Sequence, residues 1–165
     1  TCQDNIYIIP IKLVGDGVKI STKGRYGLRA MIDLAVTGRN GTPVYLSDIA
    51  KRQGVSEKYL EHIFSALHKG DVVKAQRGRK GGYLLSRTPD RITVHDIITV
   101  LEGPCTVADC VDNTSVCDKS SICITRDIWS KLGTAIRDIL TSYTLASLVE
   151  MQQLKNQPDS MMYYI

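Results

Sequence analysis

At 165 residues the chain suits one domain of ordinary size, or a small domain with an arm. With 43% apolar and 23% charged residues it is globular rather than disordered, and no apolar run is long enough to span a bilayer. The net charge of +4 conceals a split: residues 18–91 carry 15 Lys and Arg against 6 Asp and Glu, whereas residues 92–165 carry 5 against 9. One half is built to meet a polyanion and the other is not.

Residues 1–17 end in "GDG" and read as an N-terminal extension foreign to the rest. Val18 is the expected natural start, because an internal GTG codon encodes Val. The alternative, an edge strand over "NIYIIPIKLV", stays open. A short apolar patch with no charged region before it makes a poor signal peptide, so a cytoplasmic, reducing setting is expected. There, clustered cysteines more often bind metal or do redox chemistry than form structural disulfides.

From Ser21 the apolar positions Tyr26, Leu28, Met31, Ile32, Leu34, Ala35 and Val36 recur at helical spacing, with Ser21 or Thr22 to cap and Gly38 or Gly41 to stop. A short helix is expected from Ser47, as N-cap, to Gly54. A second begins after Ser56 and carries the stripe Leu60, Ile63, Phe64 and Leu67, with Gly70 at its end. Two helices joined by Gly54-Val55-Ser56 make a helix-turn-helix. "DVVKAQRGRKGGYLLSR" then reads as a β-hairpin with a cationic tip. The expected fold is mainly α with a small β-hairpin: a winged helix-turn-helix domain over 18–91 plus a long dimerisation helix.

A short helix capped by Thr93 opens the linker and cysteine-rich loop of 92–123. Residues 124–155 are expected to form a long amphipathic helix with Ile128, Leu132, Ile136, Ile139 and Leu140 on one stripe. A break follows near Ser142–Thr144, then a second helix capped by Thr144. Residues 156–165 read as a frayed tail. A monomer would leave the stripe wet, so pairing with a twin is expected, placing two reading helices on a pseudo-palindrome.

The residues expected to meet double-stranded DNA are Ser56, Lys58, Tyr59, Glu61 and His62 near the start of the second helix, and Arg77, Arg79 and Lys80 on the wing. Glu61 can accept from a cytosine amino group, and Lys58 or His62 can donate to guanine. The plainer reading is a solvated basic face on a protein-binding module. No catalytic constellation stands out: no Cys–His pair at a readable spacing, no phosphate loop and no paired acids, so no enzyme is expected.

The stretch "CTVADCVDNTSVCDKSSICITR" holds four of the five cysteines. Cys110, Cys117 and Cys123 are spaced wider than the C-x2-4-C pairs of structural zinc sites. Three spread thiolates can wrap an iron–sulfur cluster. A zinc site, a thiol–disulfide switch and free thiols remain open on spacing alone.

"VKISTKGRYGLRAMIDLA", "LSDIAKRQGVSEKYLEHIFSALHKGDVV", "RGRKGGYLLSR" and the C-x6-C-x5-C-x2-R-DIW pattern together resemble the Rrf-type winged-helix regulators over about Val18 to Met151. The resemblance implies a homodimeric bacterial transcription regulator, often a repressor, carrying a 2Fe–2S cluster and controlling cluster-assembly genes. It assigns Cys110, Cys117 and Cys123 to the cluster, and Lys58, Glu61, His62 and Arg77 to DNA. Contact with the cluster-assembly machinery is a further implied partnership; a membrane is not. Two other members of the fold are rivals: a nitric oxide-sensing repressor, and a metal-free regulator of cysteine metabolism.

One departure stands out. In iron–sulfur members a His three residues past the last cysteine completes the site, and here that position is Arg126, which offers a metal no lone pair. Cys105 is the softest alternative, beside the oxygen donors Asp109, Asp112, Asp118 and Glu102; an incomplete site is the remaining option. In nitric oxide-sensing members a carboxylate of the partner's first helix serves, but Arg25 stands at that position. Asp127 points off-axis, and His95 reads as a surface residue.

Overall fold

The structure is a computed structural model, which describes residues 20–78, 81–104 and 106–156. The extension 1–17 with its alternative edge strand, the start at Val18, Arg79, Lys80, Cys105 and all but the first residue of the tail lie outside the described residues.

Seven α-helices and one hairpin make up the described chain. Helix α1 (Thr22–Thr37) starts where Ser21 accepts a hydrogen bond from the Gly24 N–H. Helix α2 (Leu46–Gln53) ends at Gly54 as expected, but it starts earlier than Ser47. Tyr45 holds the N-cap position and no side chain caps it, because Leu46 must sit in the first turn to reach the core. Helix α3 (Glu57–Lys69) is capped by Ser56, whose hydroxyl accepts from Tyr59 N–H. The left-handed residue after it is Asp71 (φ 53°), not Gly70 (φ −83°).

Strands β1 (Val73–Gln76) and β2 (Gly82–Leu85) pair antiparallel, Val73 opposite Leu85 and Gln76 opposite Gly82. The hairpin is anchored to the loop before α2: Val44 N–H donates to Tyr83 O at 3.0 Å and Tyr83 N–H to Val44 O at 2.8 Å. Gly82 makes that approach feasible. Its φ is +142°, and a Cβ there would lie 2.6 Å from the Val44 oxygen.

Helix α4 (Val94–Glu102) opens with a reciprocal capping box between Thr93 and Asp96. The cysteine segment is not a plain loop. It folds into a one-turn helix, α5 (Asp109–Asp112), and a 3-10 turn over Thr114–Val116. Helix α6 (Ile124–Ser142) follows, and α7 (Leu145–Lys155) begins after the expected break, with Thr144 and Ser147 in a second capping box.

The core is aliphatic. Met31, Leu34, Ile49, Leu60, Ile63, Phe64, Leu67, Ile92, Ile97 and Leu145 are almost fully shielded, drawing α1, α2, α3, α4 and α7 into one body. Apolar burial of this kind is the dominant favourable term in folding. Helix α7 packs on α1, so this second helix belongs to the winged body. Helix α6 packs on α4 and α5 but buries none of its residues fully: Ile136 and Leu140 are half-buried, whereas Ile128, Leu132 and Ile139 are 55%, 40% and 60% exposed.

Candidate nucleic-acid interface and cysteine segment

Helix α3 divides cleanly. Leu60, Ile63, Phe64 and Leu67 face the core, and Lys58, Glu61, His62 and Ser65 lie on the exposed side at i, i+3, i+4 and i+7. Ser65 was not singled out from sequence, although the same spacing that marks the buried stripe selects it. Of the expected contacts, Ser56 spends its hydroxyl as an acceptor at the cap, and its own O–H remains for a partner. Tyr59 is half-buried, its ring edge-on to Tyr26 at 6.1 Å. Lys58, Glu61 and His62 are free of salt bridges among the described residues and exposed.

The wing is held against this helix. Tyr83 of β2 packs edge-on to Phe64 of α3 with ring centroids 4.8 Å apart. Burial raises the Tyr83 phenol above its ordinary value, and the nearby Glu61 charge adds to that. Hairpin and reading helix are therefore packed directly on each other. Arg77 follows β1 and is exposed, which leaves its guanidinium open to phosphate.

A charged brace sets the tilt of the helix-turn-helix. Asp33 of α1, its side chain 8% exposed, accepts from Arg52 Nε at 3.0 Å, from an Arg52 terminal nitrogen at 2.6 Å and from Gln53 at 2.9 Å. The carboxylate holds the Arg52 guanidinium above its already high value. Arg52 is thus paired within the protein, although its side chain stays 41% exposed.

The cysteine segment runs from the end of α4 to the start of α6. Cys110 lies in α5, Cys117 follows the 3-10 turn and Cys123 occupies the N-cap of α6. All three are free thiols; Cys110 and Cys123 are half-buried and Cys117 is exposed. The Cys123 thiol titrates below its ordinary value, chiefly through its hydrogen bond with the Thr125 hydroxyl, 3.1 Å away, and then through the Arg126 N–H. Asp112 accepts from the Thr106 hydroxyl at 2.6 Å. Asp109 and Asp118 are exposed, as is Glu102 at the far end of the segment, where it accepts from the Ser21 hydroxyl. His95 borders a hollow of about 190 Å³ with Thr106 and Asp112, closer to the segment than its place in the sequence suggests.

The donor chemistry suits a thiolate-held iron–sulfur group, since three free thiols lie within one short segment. The ligand set is not gathered: among the described residues no three of Cys, His, Asp or Glu converge where they could hold a metal ion. No described helix is long and apolar enough to cross a membrane.

Residues 20–151 match the family model Rrf2, described as "Iron-dependent Transcriptional regulator". The chain is 39% identical to the HTH-type transcriptional regulator IscR of Erwinia tasmaniensis, over 83% of this chain and 82% of that protein. It is 38% identical to the HTH-type transcriptional regulator CymR of Bacillus subtilis, over 90% of this chain and 100% of that one. Solved structures agree. The IscR of T. potens superposes with a TM-score of 0.71 at 40% identity, covering 88% of this chain and 96% of that one. The CymR of B. subtilis, titled the global cysteine regulator, superposes with a TM-score of 0.66 at 40% identity, covering 81% and 97%. With the winged helix-turn-helix in place and the family model spanning nearly all of the described residues, the chain belongs to the Rrf2 family of DNA-binding transcription regulators.

Proposed function

We propose that this chain is a homodimeric, cytoplasmic regulator, acting as a repressor at a pseudo-palindromic promoter site, that reads iron–sulfur status through a 2Fe–2S cluster and controls cluster-assembly genes. Its division of labour is a DNA-binding part over 18–91, a linker and cluster segment over 92–123, and dimerisation through the 124–155 helices, with α6 as the pairing surface and α7 seated on the winged body. The observation that carries the reading is the confinement of three free thiols, Cys110, Cys117 and Cys123, to the segment joining the winged body to α6. These residues would hold the cluster; the fourth place falls to Cys105 or to a nearby acid. When bound, the group supplies a centre sensitive to oxygen, nitric oxide and iron supply.

The chain's own contribution is to connect that segment to the DNA face. The segment is joined to α6, and the far end of α6 returns to the start of α4 through paired hydrogen bonds. Helix α4 packs on α1 and α3, so a change of order in the segment reaches the reading helix through packed elements. A coupling of about 1–3 kcal/mol is enough to change operator occupancy severalfold. On the DNA, Lys58, Glu61 and His62 would select bases, with Ser56 and Tyr59 beside them. Arg77, Arg79 and Lys80 would grip phosphate or the minor groove.

The exposed stripe of α6 supports a two-fold dimer, because Ile128, Leu132 and Ile139 otherwise stay in water. A second reading, a metal-free regulator of cysteine metabolism, is favoured by the full-length match to CymR and by the ungathered thiols. Anaerobic purification and reconstitution separate the two. A coloured protein with about two irons and two sulfides per chain, whose operator affinity changes on cluster removal, supports the sensor. Colourless, iron-free protein after reconstitution, binding DNA unchanged, supports the metal-free reading.

A further inference from the structure

Arg126 is the third residue of α6, a poor place for a cation, because the N-terminal end of a helix carries positive partial charge. Its side chain folds back over the preceding segment rather than extending freely into water. The guanidinium Nε donates to the Cys110 carbonyl at 2.8 Å, and a terminal nitrogen reaches the adjacent Val111 carbonyl at 3.4 Å. Those carbonyls belong to α5, a four-residue helix too short to satisfy its own last acceptors. Arg126 is half-buried in doing so, and the donor planes of an arginine suit two neighbouring oxygens in a way an ammonium does not. Its main-chain N–H meanwhile donates to the Cys123 carbonyl at 3.1 Å and lies beside the Cys123 thiol. One residue thus touches the turn of the first cysteine with its side chain and the third cysteine with its backbone.

We propose that Arg126 is a positioning residue that latches α5 to the first turn of α6, fixing Cys110 relative to Cys123 in the metal-free chain. The latch explains why an arginine stands at a position that offers no ligand: its work is to hold the segment's fold through peptide carbonyls. The inference deepens the sensor reading by naming what fixes two of its thiol-bearing turns relative to each other, but the latch belongs to the apoprotein and holds whether or not a cluster binds.

The test uses reduced, metal-free, full-length protein with Arg126→Ala, Arg126→Gln and Arg126→Lys. The rates of iodoacetamide capture of Cys110 and Cys117 are read by peptide mass spectrometry, together with amide hydrogen exchange over 108–113. In Arg126→Ala and Arg126→Gln, Cys110 capture is expected to rise roughly five- to tenfold, as loss of a charge-assisted hydrogen bond frees the turn. Exchange over 108–113 should rise with it. Cys117, exposed from the start, should react at its original rate, and exchange in α1 and α3 should stay unchanged. Arg126→Lys should restore part of the protection through one carbonyl. Equal Cys110 rates and equal exchange in all four proteins would overturn the latch. So would a uniform rise across the whole chain, which would mark Arg126 as a general stability determinant. Failure of cluster reconstitution in the unaltered protein would sink the sensor reading and leave the latch standing.

Discussion

Gly82→Ala tests whether the wing is fixed by backbone contact. An alanine Cβ at this position would sit 2.6 Å from the Val44 oxygen, 2.7 Å from its carbonyl carbon and 3.0 Å from its nitrogen. No rotamer change can relieve that, because every near atom is main chain. The backbone would also hold an L-residue at φ +142°, a strain of about 1–3 kcal/mol. Opening the gap stretches the two Val44–Tyr83 hydrogen bonds, now 3.0 and 2.8 Å, each worth about 1 kcal/mol. The expected loss is therefore about 3–5 kcal/mol, a large part of the stability of a typical domain. Gly78→Ala is the control: its φ is +111°, but nothing lies within 4 Å of its Cβ, so only strain is added. Urea unfolding followed by circular dichroism reads both. If Gly82→Ala loses no more stability than Gly78→Ala, the backbone contact does not hold the wing and the reasoning fails.

Leu132→Asp, in the middle of the exposed α6 stripe, should convert a dimer to a monomer in sedimentation analysis without altering the circular dichroism of the winged body; an unchanged mass excludes α6 as the pairing surface. Arg77→Ala should reduce the slope of log affinity against log salt by about 0.9 per protomer if the guanidinium meets one phosphate, and a parallel loss at every salt concentration argues against that contact. Glu61→Ala should relax base preference at one operator position by about 1–3 kcal/mol in a base-substitution series, with little change in salt slope. Tyr83 titrates above its ordinary value of 10.0, first because it is buried and second because of Glu61. Its neutral form is favoured by folding, so its contribution is intact below pH 10 and is lost as the pH rises past 10 through the raised value. Tyr83→Phe should flatten the fall in urea midpoint between pH 9.5 and 11 relative to the unaltered chain; identical falls in both proteins refute the assignment.

Much of the fold was legible because its signals are local. The caps Ser21, Ser56, Thr93 and Thr144 each precede a periodic run, and each accepts the expected backbone hydrogen bond. The start of α2 was misplaced by two residues because Leu46 buries itself ahead of where a Ser47 cap would allow, and packing outweighs a weak local preference. The fold of the cysteine segment was hidden. Its turns depend on Thr106 meeting Asp112 and on Arg126 meeting two carbonyls some fifteen residues away, contacts that no short-range pattern encodes. The bond between Arg52 and Asp33 was equally silent, and it neutralises one surface cation that charge counting alone would have left unpaired.

The isolated bridge between Thr93 and Thr144 has a topological meaning. Val94 N–H donates to Tyr143 O at 2.9 Å and Leu145 N–H to Ile92 O at 2.8 Å, so the chain is stitched to itself on either side of that pair. Between the stitches run about fifty residues; the first nine form α4, packed on α1 and α3, and the remainder leaves at the end of α4 and returns at its start. The cysteine segment and α6 are thus anchored at the two ends of a single helix, α4. Disturbance within them meets the winged body at α4, which the Thr93–Thr144 bridge ties to the end of α6.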